Sequence, residues 1–99
     1  MRRPTPPMLL ITAKQWGEHL ATWRKILDLT SQDIAERAGV SRQTVSKIEN
    51  GDVSVRYEDF IRVIRSVGLV DKLAEAIDPM ETEFGKVRAE AALKKRVRK

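Results

Sequence analysis

No cysteine occurs among the 99 residues, and histidine occurs once. The first absence excludes a disulfide framework, a thiolate zinc site and a cysteine nucleophile, and it fits a reducing cytosol. The second leaves His19 without the companion that a histidine-based metal or catalytic site requires. Apolar runs such as Met8 to Ile11 are far shorter than the roughly 20 residues that span a bilayer, and no signal-peptide pattern opens the chain. No internal repeat, strand-rich stretch or Gly-rich phosphate loop is visible. The acidic pairs Glu58-Asp59 and Glu81 with Glu83 stand beside no nucleophile. The chain therefore reads as a soluble, cytoplasmic, non-enzymatic protein with no catalytic residue, no metal, no cofactor and no membrane partner. Its length suits one small domain with tails, whose core is only marginally self-supporting, so that dimerisation would help it.

Negative charge is what the ends lack. The formal net charge is +5, but residues 86–99 hold seven Lys/Arg against one Glu, and Arg2 and Arg3 add two more positive charges, which leaves −3 for residues 4–85. Basicity lies in the tails. If the body binds an anionic polymer, a few local Lys/Arg must outweigh its own carboxylates.

The periodicity predicts an all-α fold of five helices. Residues 1–11 read as a Pro-rich, disordered or extended tail (MRRPTPP) followed by an apolar lead-in, strand or cover, over Met8–Ile11. A first helix is expected from Thr12, with a capping-box spacing to Gln15 and a staple spacing from Ile11 to Trp16. Trp16, Leu20, Trp23 and Leu27 form its apolar face, and its end is placed near Asp28. Staple, cap and staple partner recur as Leu29, Thr30 and Ile34, and again as Val40, Ser41 and Val45, opening a second and a third helix. Asn50-Gly51-Asp52 is a turn. A fourth helix runs from about Arg56 to Val67, stopped by Gly68, and a fifth from about Val70 to Ile77, ended by Asp78-Pro79. Domain bounds follow at 12–79, with 80–99 as a basic, disordered tail in which Ala89–Val97 becomes helical only when bound. Trp16 and Trp23 are assigned to the core, as is Tyr57 with its hydroxyl at the rim.

The informative stretch is Ser31–Asn50, SQDIAERAGVSRQTVSKIEN. Ile34, Ala38, Val40, Val45 and Ile48 are its apolar positions. Ala35 permits a close helix–helix approach, and Gly39 permits a turn with φ > 0. Two short helices joined in this way make a helix-turn-helix, whose second helix enters the DNA major groove. Arg42, Gln43 and Thr44 lie just inside that helix, with Ser46 and Lys47 one turn on. Arg can bond guanine O6 and N7, Gln can bond adenine N6 and N7, and Thr offers thymine a hydroxyl and a methyl. Backbone contacts are expected from Thr30, Ser31 and Gln32 at the second helix's positive end, and from Ser41, Lys47, Asn50 and Arg56.

These residues closely resemble the lambda-repressor-like, or Xre, family of bacterial and phage regulators over residues 12–68, and less specifically to about Pro79. The resemblance implies base reading by the positions of Arg42, Gln43 and Ser46. It also implies an ion pair between Arg24, late in helix one, and Glu49, at the end of the recognition helix. The family usually has Gln where this chain has Ser31. Residues 57–79 followed by a basic tail look like the subgroup of HipB-like antitoxins, which dimerise, repress their own operon and bind a HipA-like kinase toxin. A dimer on a pseudo-palindromic operator is the expected form, with Leu69, Val70, Leu73 and Ile77 as its interface or, alternatively, as a cap on the monomer's core. The tail residues Lys94, Lys95, Arg96, Arg98 and Lys99 attract phosphates, contact an acidic partner or simply solubilise the end. The expected function is therefore a dimeric, sequence-specific repressor, an autoregulating antitoxin in the finer reading. The alternative is a protein-interaction module of the same fold that docks on a toxin, polymerase or coactivator.

Overall fold

A computed structural model of the chain describes residues 3–97, with side chains through Lys94. Among these residues all regular structure is helical, in the order α1 (Pro7–Ile26), α2 (Ser31–Ala38), α3 (Arg42–Glu49), α4 (Tyr57–Ser66), α5 (Val70–Ile77), a 3₁₀ turn (Pro79–Glu81) and α6 (Glu83–Val97). The chain divides into two compact units, one ending at Leu69 and the other beginning at Val70.

The first unit is built on one apolar cluster. Leu20 of α1, Ile34, Ala35 and Ala38 of α2, Val45 and Ile48 of α3, and Val63, Ile64 and Val67 at α4 are buried, with Leu29, Val40, Val55, Phe60 and Leu69 packed against them. Each fully buried aliphatic side chain contributes roughly 1.5–3 kcal/mol. The N-terminal caps of α2 and α3 are made. Thr30 Oγ1 accepts from Asp33 N while Asp33 Oδ2 accepts from Thr30 N, closing a capping box, and Ser41 Oγ accepts from Thr44 N. Four helices end alike, with a residue in the left-handed region: Gly39 (φ 72°), Gly51 (φ 80°), Gly68 (φ 79°) and, after α1, Asp28 (φ 61°). Asp28 is tolerated because Asp enters this region more readily than other side chains. Its α1 terminus is closed by Leu29 N–H donating to Arg24 O and Asp28 N–H to Lys25 O.

Several sequence expectations are corrected. Helix one begins at Pro7, not Thr12. Pro6 and Pro7 occupy the N-cap and first helical positions, where a missing N–H costs nothing and a fixed φ is already helical. Nothing in Met8–Ile11 then breaks the helix, so Thr12 lies inside it and caps nothing. The helix ends at Ile26, two residues short of Asp28. Trp16, Trp23 and Tyr57 are not core residues, being 54 %, 41 % and 80 % exposed. The buried side of α1 runs instead through Gly17 and Leu20.

The reason lies in how α1 meets α3. A Cβ on Gly17 would stand 2.5 Å from Glu49 O and 2.6 Å from Ile48 O, and one on Gly51 would stand 2.7 Å from Lys14 Cα. Only hydrogen fits at either contact, so the backbone of α1 rests directly on the last turn of α3. The indoles are thereby turned aside, Trp16 stacking on Phe60 with ring centroids 6.5 Å apart.

In the second unit, α6 replaces the expected tail without regular structure. Thr82 opens it, its Oγ1 accepting from Gly85 N, and Gly85 sits so close to the Pro79 carbonyl that no Cβ would fit. The unit buries no residue of α5 or of the 3₁₀ turn. Of the basic tail, Lys94 is described and exposed. The side chains of Lys95 and Arg96, together with Arg98 and Lys99, lie outside the described residues, as does Arg2.

Gly17→Ala is expected to lower the unfolding free energy by 3 kcal/mol or about that, the upper part of the overpacking range, because both opposing atoms are backbone. Urea denaturation followed by circular dichroism measures it, and a variant as stable as the wild type would show that the helices can part without loss.

Candidate nucleic-acid interface

The outer face of α3 is assembled by its own burial pattern. Val45 and Ile48 face the core, Thr44 and Glu49 are half-buried, and Arg42, Gln43, Ser46, Lys47 and Asn50 are left exposed. Ser41 is exposed and occupied as a cap, its hydroxyl also lying 2.9 Å from Thr44 Oγ1. Thr44 is thus drawn toward the helix start rather than outward. Asn50 Nδ2 folds back to donate to Ser46 O (2.9 Å) and reaches Ser46 Oγ at 3.4 Å. Arg42, Gln43 and Lys47 form no side-chain hydrogen bond with the described residues. They are the side chains of this face with all their donors and acceptors unspent.

At the start of α2, Thr30 and Gln32 are exposed and Ser31 is half-buried. The capping box already takes up the N–H of Thr30 and of Asp33. Its carboxylate is ionised: the bonds from Thr30 hold the Asp33 pKa below the usual 3.8. That negative charge shares the positive helix end with any incoming phosphate, and the N–H groups of Ser31 and Gln32 are the ones left over. Gln32 Nε2 donates to Glu36 Oε2 at 3.0 Å, and Arg56 reaches Glu58 Oε1 at 3.4 Å. Arg56 is highly exposed and can exchange that surface contact for another.

Behind α3, Arg24 and Glu49 are joined in a bidentate pair, Nε donating to Oε2 at 2.8 Å and Nη2 to Oε1 at 3.2 Å. Nη1 donates to Leu29 O at 3.0 Å. The two side chains keep 16 % and 13 % of their surface, and the carboxylate raises the Arg24 pKa above its ordinary value. One guanidinium therefore ties the end of α1 both to the end of α3 and to the loop that leads into α2. Leu69 packs on the core, whereas Val70, Leu73 and Ile77 of α5 are exposed, Ile77 by 78 %.

Beyond Gly17 and the Asp33 half of the capping box, two positioning side chains escaped sequence reasoning. Arg62 of α4 donates from Nη1 to Ala38 O at the end of α2 and from Nη2 to Glu58 Oε2 at 2.7 Å, bracing the turn between α2 and α3. Asp52 accepts from Ser54 N and Oγ, shaping the chain beyond α3. The Asp-x-Ser spacing is a legible Asx-turn signal, and Thr-x-x-Asp could have revealed the capping box. Nothing in the local pattern marks Arg62 or Gly17.

Two helices of eight residues, joined through a left-handed glycine and ending in an exposed polar helix, form a helix-turn-helix. A family model described as a helix-turn-helix domain matches residues 15–77, and the chain belongs to that family. Membership points to DNA binding and transcription regulation. No curated protein and no solved structure matches the chain. Among the described residues, no helix is long and apolar enough to cross a membrane and no group of His, Asp and Glu could hold a metal ion.

Breaking the pair at one end should cost roughly 3–5 kcal/mol, because the surviving charge is left largely buried. Arg24→Met and Glu49→Gln, measured singly and together in urea, are expected to be strongly non-additive. A double variant as unstable as the sum of the two would refute the coupling. The pH dependence has one sign. Asp33, Asp52 and Glu58 are all held below their ordinary pKa, by bonds from Thr30, from Ser54 and from Arg62 respectively. Each binds fewer protons folded than unfolded, so stability is present above the unfolded values near 3.8 and 4.5 and is lost as pH falls through the lower folded ones. Thermal melts between neutral and acid pH should show this loss, and Asp33→Ala should flatten part of it.

Proposed function

We propose that the protein is a transcriptional repressor that binds a pseudo-palindromic operator as a dimer. Arg42, Gln43 and Ser46 read base edges in the major groove, while Lys47, Asn50, Ser41, Arg56 and the start of α2 hold the backbone. The observation that carries this reading is the outer face of α3. Arg42 and Gln43, the two residue types that make bidentate contacts to guanine and adenine, stand exposed with no side-chain hydrogen bond to any of the described residues. Thr44 contributes its methyl more readily than its hydroxyl, which Ser41 engages. Because residues 4–85 carry a net −3, affinity rests on these few groups and not on a diffuse basic surface.

Dimerisation supplies a second recognition helix, one turn of DNA (about 34–36 Å) away. The exposed apolar side chains of α5, with Leu69 beside them in sequence, are the surface assigned to it. The finer role of an autoregulating antitoxin rests on the resemblance of residues 57–79 to HipB-like proteins. A HipA-like kinase co-purifying with the full chain would support it.

A mobility-shift titration against the DNA upstream of the protein's own gene tests the repressor reading. Arg42→Ala and Gln43→Ala should each cost about 1–3 kcal/mol on the operator and little on random DNA. Wild-type protein binding the operator no tighter than random DNA would sink the proposal.

A further inference from the structure

Along α1 the exposed side carries a heptad. Leu9, Trp16 and Trp23 are spaced by seven, and so are Thr12, His19 and Ile26, the two rows interleaving at steps of three and four. Leu9, Trp16, Trp23 and Ile26 keep 52 %, 54 %, 41 % and 66 % of their surface exposed. The repeat is that of a coiled-coil seam, and it extends over about 27 Å of helix. Beside its N-terminal half lies an apolar groove of about 470 Å³, walled by Leu9, Trp16, Val53, Tyr57 and Phe60.

We propose that this seam pairs antiparallel with the same seam of a second copy of the chain. This goes beyond the repressor reading and its α5 dimer surface, and does not depend on either. An antiparallel pairing centred between Gly17 and Glu18 sets Leu9 against Ile26 of the second copy, Thr12 against its Trp23, and Trp16 against its His19. Each indole then meets a smaller polar side chain. Each indole N–H, which donates to none of the described residues, also gains an acceptor in a hydroxyl or an imidazole. A parallel pairing would instead press Trp16 on Trp16 and Trp23 on Trp23, with no acceptor for either. The flank of the seam that faces away from the core, Met8, Gln15 and Thr22, bears no charge, so identical helices meet without like-charge repulsion. The charged Lys14, Glu18 and Lys25 lie outside seam and flank. In this register Trp23 and Ile26 of the second copy lie over Leu9 and Thr12 and fill the groove, and the same contact is repeated about the two-fold axis.

Sedimentation of the full chain over a range of concentrations tests the pairing. Trp23→Glu and Ile26→Glu are the variants of choice, since neither residue belongs to the core cluster or to the side chains packed on it, and circular dichroism checks that both remain folded. Each is expected to raise the dissociation constant of the α1 pairing at least tenfold. Leu73→Glu, which addresses the α5 surface alone, should leave that pairing intact. Thr12→Cys with Trp23→Cys in one chain should oxidise to a covalent dimer. The two positions stand about 16 Å apart along one helix and cannot bridge within it. Thr12→Cys alone should not cross-link. Self-association that Leu73→Glu abolishes and Trp23→Glu leaves unchanged would overturn the α1 pairing and leave the α5 surface standing. A chain monomeric throughout, or cross-linking by Thr12→Cys alone, would overturn it as well.

Discussion

The placement of α3 depends on a backbone-to-backbone contact. The last turn of α3 lies on α1 with nothing between them at Gly17 and Gly51. The Arg24–Glu49 pair then fixes the angle at which the two helices cross. Desolvation offsets much of the Coulomb energy of such a pair, so its chief effect is geometric. Together the two devices make α1 a bed for α3. The base-reading role proposed for α3 needs such a bed, since a bidentate contact requires both hydrogen bonds at once.

Charge is used sparingly and locally. The body carries more carboxylates than cations, yet several of its acids are tied into caps, turns or pairs, Asp33 by Thr30, Asp52 by Ser54 and Glu58 by Arg62 among them. Asp33 in particular places a fixed negative charge at the start of α2, the helix end that a phosphate would approach. The N–H groups left over at that end are those of Ser31 and Gln32, since Thr30 and Asp33 spend theirs on the capping box. On α3 the balance differs. Arg42, Gln43 and Lys47 form an outer face whose side chains make no hydrogen bond with the described residues, while beside them Asn50 engages Ser46 and Ser41 engages Thr44.

The helices were legible where local chemistry alone decides them. Thr30, Ser41, Gly39, Gly51 and Gly68 each mark a boundary by capping or by a left-handed φ, and α2 and α3 begin and end, and α4 ends, where those signals stand. The start of α1 was misread because Thr12-x-x-Gln15 imitates a cap, while the stronger signal, a proline able to occupy the first helical position, stood five residues earlier. Of the site, the face of α3 followed from its apolar spacing. The engagement of Thr44 by Ser41 and of Ser46 by Asn50 did not, since which hydroxyl turns inward depends on rotamers no spacing records. The indoles misled for a related reason. Periodicity identifies an apolar face, but two apolar faces meet at Leu20, and only the contact at Gly17 decides which is buried.

By itself the sequence determined the caps, the turn glycines, the two-helix motif and the residue types offered on its second helix, because these depend on neighbours three or four positions away. Tertiary structure decided the rest. It chose Gly17 over the tryptophans as the floor of the helix crossing, brought Arg62 across to the Ala38 carbonyl, and left the heptad of α1 in the open. Those outcomes turn on contacts between residues far apart in the chain, the backbone approaches at Gly17 and Gly51 and the reach of Arg62 to the Ala38 carbonyl, which are made only once the chain has folded.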